Sequence, residues 1–516
     1  MNQNAALYFV DRHLDEGRGD KTVFREADGE KRSLSYAQLA DQSARFGGAL
    51  GKHGVRREER IAMIVRDQLE FPVIFWGAMK AGAVPVPLNT LLSAPVYEAI
   101  LNDSRATILV VSAQLWDTVK PAVQGNRFLR TVVVIGDAPE GCESYADFTR
   151  DAPAIDTAEA HTDELAFWLY SSGSTGTPKG VRHLHGSLKA TSDTFGQQVL
   201  GLREDDVMFS VAKMFFAYGL GNAMSFPMAV GATTILFGGR PTPESVFEIM
   251  ASERPTLFCG VPTLYAALVA EQEKRGGKPD HSIRLCASAG EALPREIGLR
   301  WEALWGAEIV DGVGSTEMLH IFLSNRPGDI AYGTSGIAVP GYEVRLVDEH
   351  DEDVAQGEVG ELLVRGPSSA EGYWNRRDKS QSTFQGHWTR TGDKYECTAE
   401  GRFVYCGRTD DMFKVSGIWV SPFEVEQALG EHPAVLEAAV VARADAQNLL
   451  KPAAFIVLKE GQSVDTDALK ELVKTRIGMW KYPRWITVVD DLPKTATGKI
   501  QRFKLRDQPR DQPSGA

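Results

Sequence analysis

Cysteine is scarce in this chain. Cys142, Cys259, Cys286, Cys397 and Cys406 are the whole complement, and no two of them form a C-x-x-C pair. An odd, scattered set excludes a disulfide framework and offers no zinc or redox motif, so the thiols are read as reduced. Long apolar runs are also missing, and none is long enough to span a bilayer. The N-terminus, MNQNAALYFVDRHLDEGRGDK, meets Asp11, Arg12 and His13 after a very short apolar run. It lacks the basic start and apolar core of a secretory signal, so a cytoplasmic location without a membrane partner is expected. Positive charge is in deficit: 56 Lys and Arg face 69 Asp and Glu, a net −13 at pH 7. That balance argues against a general nucleic-acid surface, which requires clustered cations. An anionic substrate would instead need backbone N–H groups and a few placed cations.

What is present is ordinary for a globular protein, with 43% hydrophobic and 24% charged residues. At 516 residues the chain exceeds a single hydrophobic core, so at least two folding units are expected. In its first part, Val- and Ile-rich runs (RIAMIVRD at 60–67, ATILVVSA at 106–113, TVVVIGD at 131–137) alternate with helix-length segments such as 68–82. This rhythm predicts parallel α/β sheets. It continues between 201 and 320 through VMFSVA, ATTILFGG, PTLFCGVPT, IRLCASAGEAL and EIVDGVGSTEM. In open α/β sheets ligand sites gather at such strand ends.

From about 333 to 405 short strands with Gly and Pro turns predict a β-rich subdomain. A polar, Gly-punctuated stretch follows at 407–421, after which helix-like SPFEVEQALGEH and strand-like EAAVVAR and AAFIVLKE open a new α+β unit. The expected organisation is a domain over 1–409, a smaller domain over 410–506 and a flexible tail over 507–516.

The most informative stretch is Tyr170-Ser-Ser-Gly-Ser-Thr-Gly-Thr-Pro-Lys-Gly180, directly after the apolar LAFWLY. A strand that runs into Ser171, Ser172, Gly173, Ser174, Thr175 and Gly176 presents several N–H and O–H donors to one anion, and Lys179 adds a positive charge. This is a phosphate cradle. It is a Walker A loop only superficially, because Pro178 and Gly180 stand where that motif needs Gly and Ser or Thr.

Here the chain resembles the adenylate-forming superfamily of acyl-CoA synthetases, luciferases and adenylation domains. Five further elements follow in the same order: SAGEALP at 288–294, DGVGSTEM at 311–318, TRTGDKY at 389–395, GRTDDMFKVSG at 407–417 and PKTATGKIQR at 493–502. The six together cover nearly the whole chain.

The resemblance implies ATP, Mg²⁺ and CoA as reaction partners, and it implies roles. Ala289, Gly290, Glu291, Asp311 and Gly312 would border the adenine, and the Thr316 hydroxyl would contact the α-phosphate. Glu317 would hold Mg²⁺, a fitting task for a carboxylate beside phosphate oxygens. Asp393 would accept from the ribose hydroxyls, and Arg408 would be a second nucleotide contact. Without the resemblance, Arg408 would be a salt-bridge partner of Asp410 or Asp411.

Lys499 would stabilise the negative charge that builds up as a carboxylate attacks the α-phosphorus. Asp410 would be the hinge about which the smaller domain rotates between adenylation and thioester formation. Lys414 and Gly417 would then face CoA, with Gly417 beside the pantetheine tunnel. Acetylation of Lys499 by an acetyltransferase would neutralise its charge and silence adenylation, and a deacetylase would restore it.

For the acid, KMFFAYGLGNAM at 213–224 and DGVGSTEMLHIFLSN at 311–325 are similar to benzoate- and hydroxybenzoate-CoA ligases. Ala217, Tyr218, Gly219, Gly312, Gly314, His320 and Ile321 would line a flat, mostly apolar slot for a small aromatic carboxylic acid. His320 could touch a ring substituent or be a structural histidine, and Phe215, Phe216 and Tyr218 could belong to the core. An enzyme that loads a carrier protein, a ligase for a medium-chain or alicyclic acid, and a homodimeric assembly stay open on sequence.

Overall fold

The structure is a computed structural model that describes residues 2–172, 178–409, 411–415, 418–445, 449–479, 481–494 and 500–506. By internal contacts the chain divides into two units. One comprises Met1–Val344, Leu363–Arg390 and Gly401–Phe403; the other comprises Arg345–Leu362, Thr391–Glu400 and Val404–Ala516.

The first unit is built on two sheets of mainly parallel strands. In one, the order is Val84–Pro87, Arg60–Ile64, Ile108–Ser112, Thr131–Ile135 and Glu143–Ser144, every pair parallel. The other has nine strands. Its parallel centre runs Ile309–Gly314, Leu285–Ser288, Leu257–Gly260, Val207–Ser210, Thr233–Leu236 and Thr22–Glu26. Strands such as Ile108–Ser112, Leu257–Gly260 and Leu285–Ser288 are buried along their whole length. Helices therefore cover both faces, which is why these strands read as continuous apolar runs rather than alternating ones.

The expected mixed α/β fold is present, with features that the periodicity did not show. Thr22–Glu26 joins the nine-stranded sheet beside Thr233–Leu236, pairing Phe24 with Thr234 across most of the first unit's sequence. At the far end Ile321–Ser324 returns antiparallel to Ile309–Gly314. The helix-length segment 68–82 holds the helix Glu70–Lys80, packed against Tyr36–Lys52. Tyr36–Lys52 starts at a reciprocal cap in which Ser35 Oγ accepts from Gln38 N and Gln38 Oε1 accepts from Ser35 N.

The second unit has its own core. Strands Val435–Ala444, Leu450–Leu458 and Trp485–Val488 form a sheet against which Pro422–Gly430 and Thr466–Ile477 pack, burying Val425, Leu429, Val440, Ile456, Leu469 and Val473. The helical and apolar segments anticipated from residue 421 onward overlap these elements.

Candidate active site

Strands Leu165–Ser172 and Pro178–Leu184 form an antiparallel hairpin in which Ser171 faces Lys179 and Tyr170 faces Gly180. Gly173, Ser174, Thr175 and Gly176, which come between these two strands in sequence, lie outside the described residues. A third strand, Gly372–Tyr373, pairs with Val181 and Arg182. This brings in a residue that no motif singled out. The Lys179 ammonium sits 4.3 Å from the centre of the Tyr373 ring, within cation–π range. The Tyr373 hydroxyl donates to Glu317 Oε1 at 2.8 Å. The backbone helps: Ala370 N–H donates to the Glu317 carbonyl at 2.8 Å, and Ser368 Oγ donates to the Met318 carbonyl at 2.7 Å. The strand that bears Lys179 and the G-x-T-E element, far apart in sequence, are thus joined through residues 368–373.

Thr316 and Glu317 lie in the turn between Ile309–Gly314 and Ile321–Ser324. The turn is held by Met318 N–H donating to Ser315 Oγ at 3.1 Å and by Leu319 N–H donating to the Thr316 carbonyl at 3.1 Å. Leu319 takes φ +63°, a left-handed conformation that a leucine adopts only when its surroundings enforce it. Gly312 and Gly314 have a reason of their own to be small. A Cβ on Gly312 would lie 2.6 Å from the Leu323 carbonyl oxygen, and one on Gly314 would lie 2.5 Å from that of His320. The returning strand therefore demands these glycines, independently of any ring nearby.

Asp311 lies within the fully buried stretch 309–312 of its strand, in register with Ser288. Burial pushes its carboxyl up to about 7. Oδ2 accepts weakly from Leu293 N–H at 3.4 Å, and Oδ1 has no hydrogen-bond partner among the described residues. A buried acceptor of this kind is costly unless a ligand or water meets it. Next to Ser288, Ala289 is buried while Gly290, at φ +100°, and Glu291 are exposed.

The 213–224 segment forms a short helix, Ala217–Leu220, followed by the wider turn Gly221–Ser225. A Cβ on Gly219 would fall 2.1 Å from the Lys213 carbonyl oxygen, so only glycine allows the helix to fold back on its approach. The Tyr218 hydroxyl donates to the Gly260 carbonyl at 3.2 Å. His320 is 3% exposed, boxed by the rings of Phe226 at 4.4 Å, Phe195 at 5.1 Å and Tyr218 at 5.5 Å. Its Nε2 lies 3.3 Å from the Tyr218 carbonyl oxygen, and burial lowers its pKa to about 3, so the ring is neutral. His320 therefore braces Tyr218 from behind. Ile321 and Phe215 are buried, while Ala217 and Tyr218 keep partial exposure.

In the second unit the Arg408 guanidinium donates from Nη1 to Asp393 Oδ1 at 2.9 Å and to the Thr391 carbonyl at 3.0 Å. Asp411 is taken by Arg502 and Arg506 instead. Lys414 lies in Phe413–Val415, paired with Ile418–Val420. Asp410, Gly417 and Lys499 fall outside the described residues, as does the 507–516 tail. The flanks of Lys499 are well tied. Lys494 and Ile500 form an antiparallel bridge, and Gln501 N–H donates to the Pro493 carbonyl at 2.7 Å. Arg502 grips the buried Glu426 carboxylate through Nε at 3.2 Å and Nη2 at 2.7 Å.

Among the described residues, no helix is long and apolar enough to cross a membrane, and no three His, Cys, Asp or Glu side chains cluster as a metal cage.

Comparison with known proteins agrees with the motif order. Residues 11–374 match the AMP-binding enzyme family, and residues 424–499 match the AMP-binding enzyme C-terminal domain. The chain is 52% identical over 513 residues to the 4-hydroxybenzoate--CoA/benzoate--CoA ligase of Rhodopseudomonas palustris, covering 98% of this chain and 94% of that one. Its fold is similar to that of a benzoate CoA ligase from Burkholderia xenovorans LB400, with a TM-score of 0.89 and 47% identity over 98% of this chain and 100% of the other. It is similar also to the anthranilate CoA ligase AuaEII in complex with anthranoyl-AMP, with a TM-score of 0.91 and 41% identity over 98% and 96% of the two chains. With two family matches in chain order and a relative covered over 94% of its length, the chain belongs to the AMP-binding enzyme family.

Proposed function

We propose that this protein is an ATP-dependent aryl-CoA ligase that converts benzoate or a hydroxybenzoate, ATP and CoA to aroyl-CoA, AMP and pyrophosphate. The observation that carries this reading is the 52% identity, over almost the full length of both chains, to a ligase named for benzoate and 4-hydroxybenzoate.

In the first half-reaction a carboxylate oxygen of the acid attacks the α-phosphorus of ATP, the bond to pyrophosphate breaks, and an aroyl-adenylate results. The 171–176 cradle and Lys179 hold the phosphates, Thr316 contacts the α-phosphate, and Lys499 stabilises the developing charge. Asp311, whose Oδ1 has no hydrogen-bond partner among the described residues, offers an acceptor to the adenine amine beside Ala289, Gly290, Glu291 and Gly312. Asp393 and Arg408 serve the ribose side.

Glu317 fits a Mg²⁺ role. Its Oε1 is held by Tyr373, and a single carboxylate with phosphate and water oxygens suits this hard cation, which seldom sits in an all-protein cage. When bound, Mg²⁺ neutralises phosphate charge and orients the leaving group.

In the second half-reaction the CoA sulfur attacks the acyl carbon. The C–O bond to AMP breaks, and the thiol proton leaves to solvent. A turn of the 410–506 domain about Asp410 withdraws Lys499 and presents Lys414 and Gly417 to CoA. Ala217, Tyr218, Gly219, Gly312, Gly314, His320 and Ile321 shape the acid slot, with His320 acting through Tyr218.

Incubation with ATP, Mg²⁺, CoA and benzoate, 4-hydroxybenzoate, cyclohexane carboxylate or octanoate, followed by chromatography of the thioester, tests the reading. An aromatic acid should give the highest kcat/KM. Preference for octanoate would overturn the acid assignment, and product only with an acyl carrier protein would overturn the acceptor.

A further inference from the structure

We propose that Tyr373 is a positioning residue for adenylation, one that aligns the Mg²⁺-side carboxylate and the phosphate-side lysine with a single side chain. The proposal deepens the function above, since it rests on Glu317 and Lys179 having the roles given there. Tyr373 is 4% exposed, and its two useful parts meet different charges: the hydroxyl donates to Glu317 Oε1 at 2.8 Å and the ring carries the Lys179 ammonium at 4.3 Å.

The tyrosine is itself fixed. Its backbone pairs with Val181 in the hairpin that bears Lys179, and its N–H donates to Ser380 Oγ at 3.0 Å. Phe384 packs on the ring with centroids 5.4 Å apart. Three residues earlier, Ala370 N–H holds the Glu317 carbonyl, so the same segment grips Glu317 through backbone and side chain.

A flexible glutamate at the tip of a turn can adopt several rotamers, each of which would aim its charge elsewhere. A donated hydrogen bond to Oε1 selects one of them and leaves Oε2 to face a cation. The ring face likewise restricts Lys179 without removing its charge, because a cation–π contact constrains the ammonium through its electrostatic field alone. Preorganising two opposite charges before ATP arrives lowers the reorganisation needed in the transition state.

Two substitutions separate the two contacts. Tyr373→Phe keeps the ring under Lys179 and removes the hydroxyl; Tyr373→Leu removes both. Three readouts follow: acid-dependent exchange of pyrophosphate into ATP against free Mg²⁺, binding of Mn²⁺ with ATP by electron paramagnetic resonance in the absence of acid, and thioester formation from pre-made benzoyl-adenylate and CoA. Tyr373→Phe should raise the Mg²⁺ needed for half-maximal exchange, and weaken Mn²⁺ binding, by about tenfold, as expected for losing one hydrogen bond to a charged group. Its KM for ATP at saturating Mg²⁺ should stay near wild type, whereas Tyr373→Leu should raise that KM as well. Neither variant should slow thioester formation from the adenylate.

Unchanged Mg²⁺ dependence and Mn²⁺ binding in a folded Tyr373→Phe protein would overturn the proposal, as would equal losses in both half-reactions. Wild-type protein that exchanges with no acid would sink the proposed function instead. The Mn²⁺ measurement, which needs no acid, would still decide on Tyr373.

Discussion

The Asp67 carboxylate accepts the backbone N–H of Met214 at 3.2 Å, linking residues 147 apart in sequence. Asp67 follows the strand Arg60–Ile64 of the five-stranded sheet, and Met214 is the second residue of the 213–224 segment that leads to Tyr218. Its neighbours add to the tie: Arg66 Nε donates to the Gly238 carbonyl at 3.1 Å, and Lys213 Nζ donates to the Gly239 carbonyl at 2.9 Å. Burial raises Asp67 to about 6, with Lys213 nearby pulling the other way.

Loss of this acceptor should loosen the acid slot without touching ATP. Asp67→Ala is expected to raise the KM for the acid by about tenfold, the cost of leaving a buried N–H unpaired. Asp67→Asn keeps an acceptor and should stay within a few-fold of wild type. Steady-state kinetics with acid and ATP varied separately check this, and equal rises in both KM values would refute the local role.

Asp311 gives a pH prediction. Its folded-state pKa, raised by burial from 3.8 to about 7, means that the folded protein binds this proton more tightly than the unfolded chain does. The resulting stability is fully present below about pH 4 and is lost as pH rises through about 7. Asp311→Asn removes the penalty, so the variant should gain in melting temperature over wild type more at pH 8 than at pH 5. Calorimetric scans at the two pH values decide the matter. An equal gain at both would mean that the carboxyl is not held protonated.

Gly219 tests the reading of the pocket helix. An added Cβ would meet backbone oxygens of Ala212 and Lys213, which cannot move aside as a side-chain end can. Gly219→Ala should cost about 1–3 kcal/mol of stability, as for other overpacked sites, and raise the KM for the acid. Chemical unfolding and acid kinetics measure the two effects. A variant with wild-type values of both would show that the segment has room that the structure does not.

Lys499 and Asp410 should separate the half-reactions. Lys499→Ala is expected to slow acid-dependent pyrophosphate exchange by about 100-fold or more, the scale of losing an electrostatic transition-state contact, while sparing thioester formation from pre-made adenylate. Asp410→Pro should do the reverse. Parallel assays of both steps are the check, and equal losses at both steps in either variant would remove its assigned role.

Much of this was legible in the sequence because strands buried on both faces advertise themselves. The runs at 60–67, 106–113 and 131–137 each contain one strand of the five-stranded sheet. The ordered motifs were legible because their chemistry needs particular residues in a row. Tyr373 was not, because its function depends on pairing with Val181 and on reaching Glu317, and neither contact leaves a local spacing to detect. Gly312 and Gly314 were read as room for a substrate ring, yet the backbone of Ile321–Ser324 already requires them. The antiparallel return of that strand was not anticipated, since the left-handed position at its turn is held by Leu319 rather than by the Gly or Asn that usually marks one. His320 was ambiguous because a histidine's role depends on its enclosure, which only the surrounding aromatic box reveals.

The central claim is that this enzyme activates an aromatic acid as its adenylate. Acid-dependent exchange of labelled pyrophosphate into ATP, measured with Mg²⁺ and without CoA, tests it most directly. The account predicts rapid exchange with benzoate or hydroxybenzoates, weak exchange with octanoate, and none without acid. Exchange with octanoate alone, or thioester formation from benzoate with no exchange at all, would contradict it.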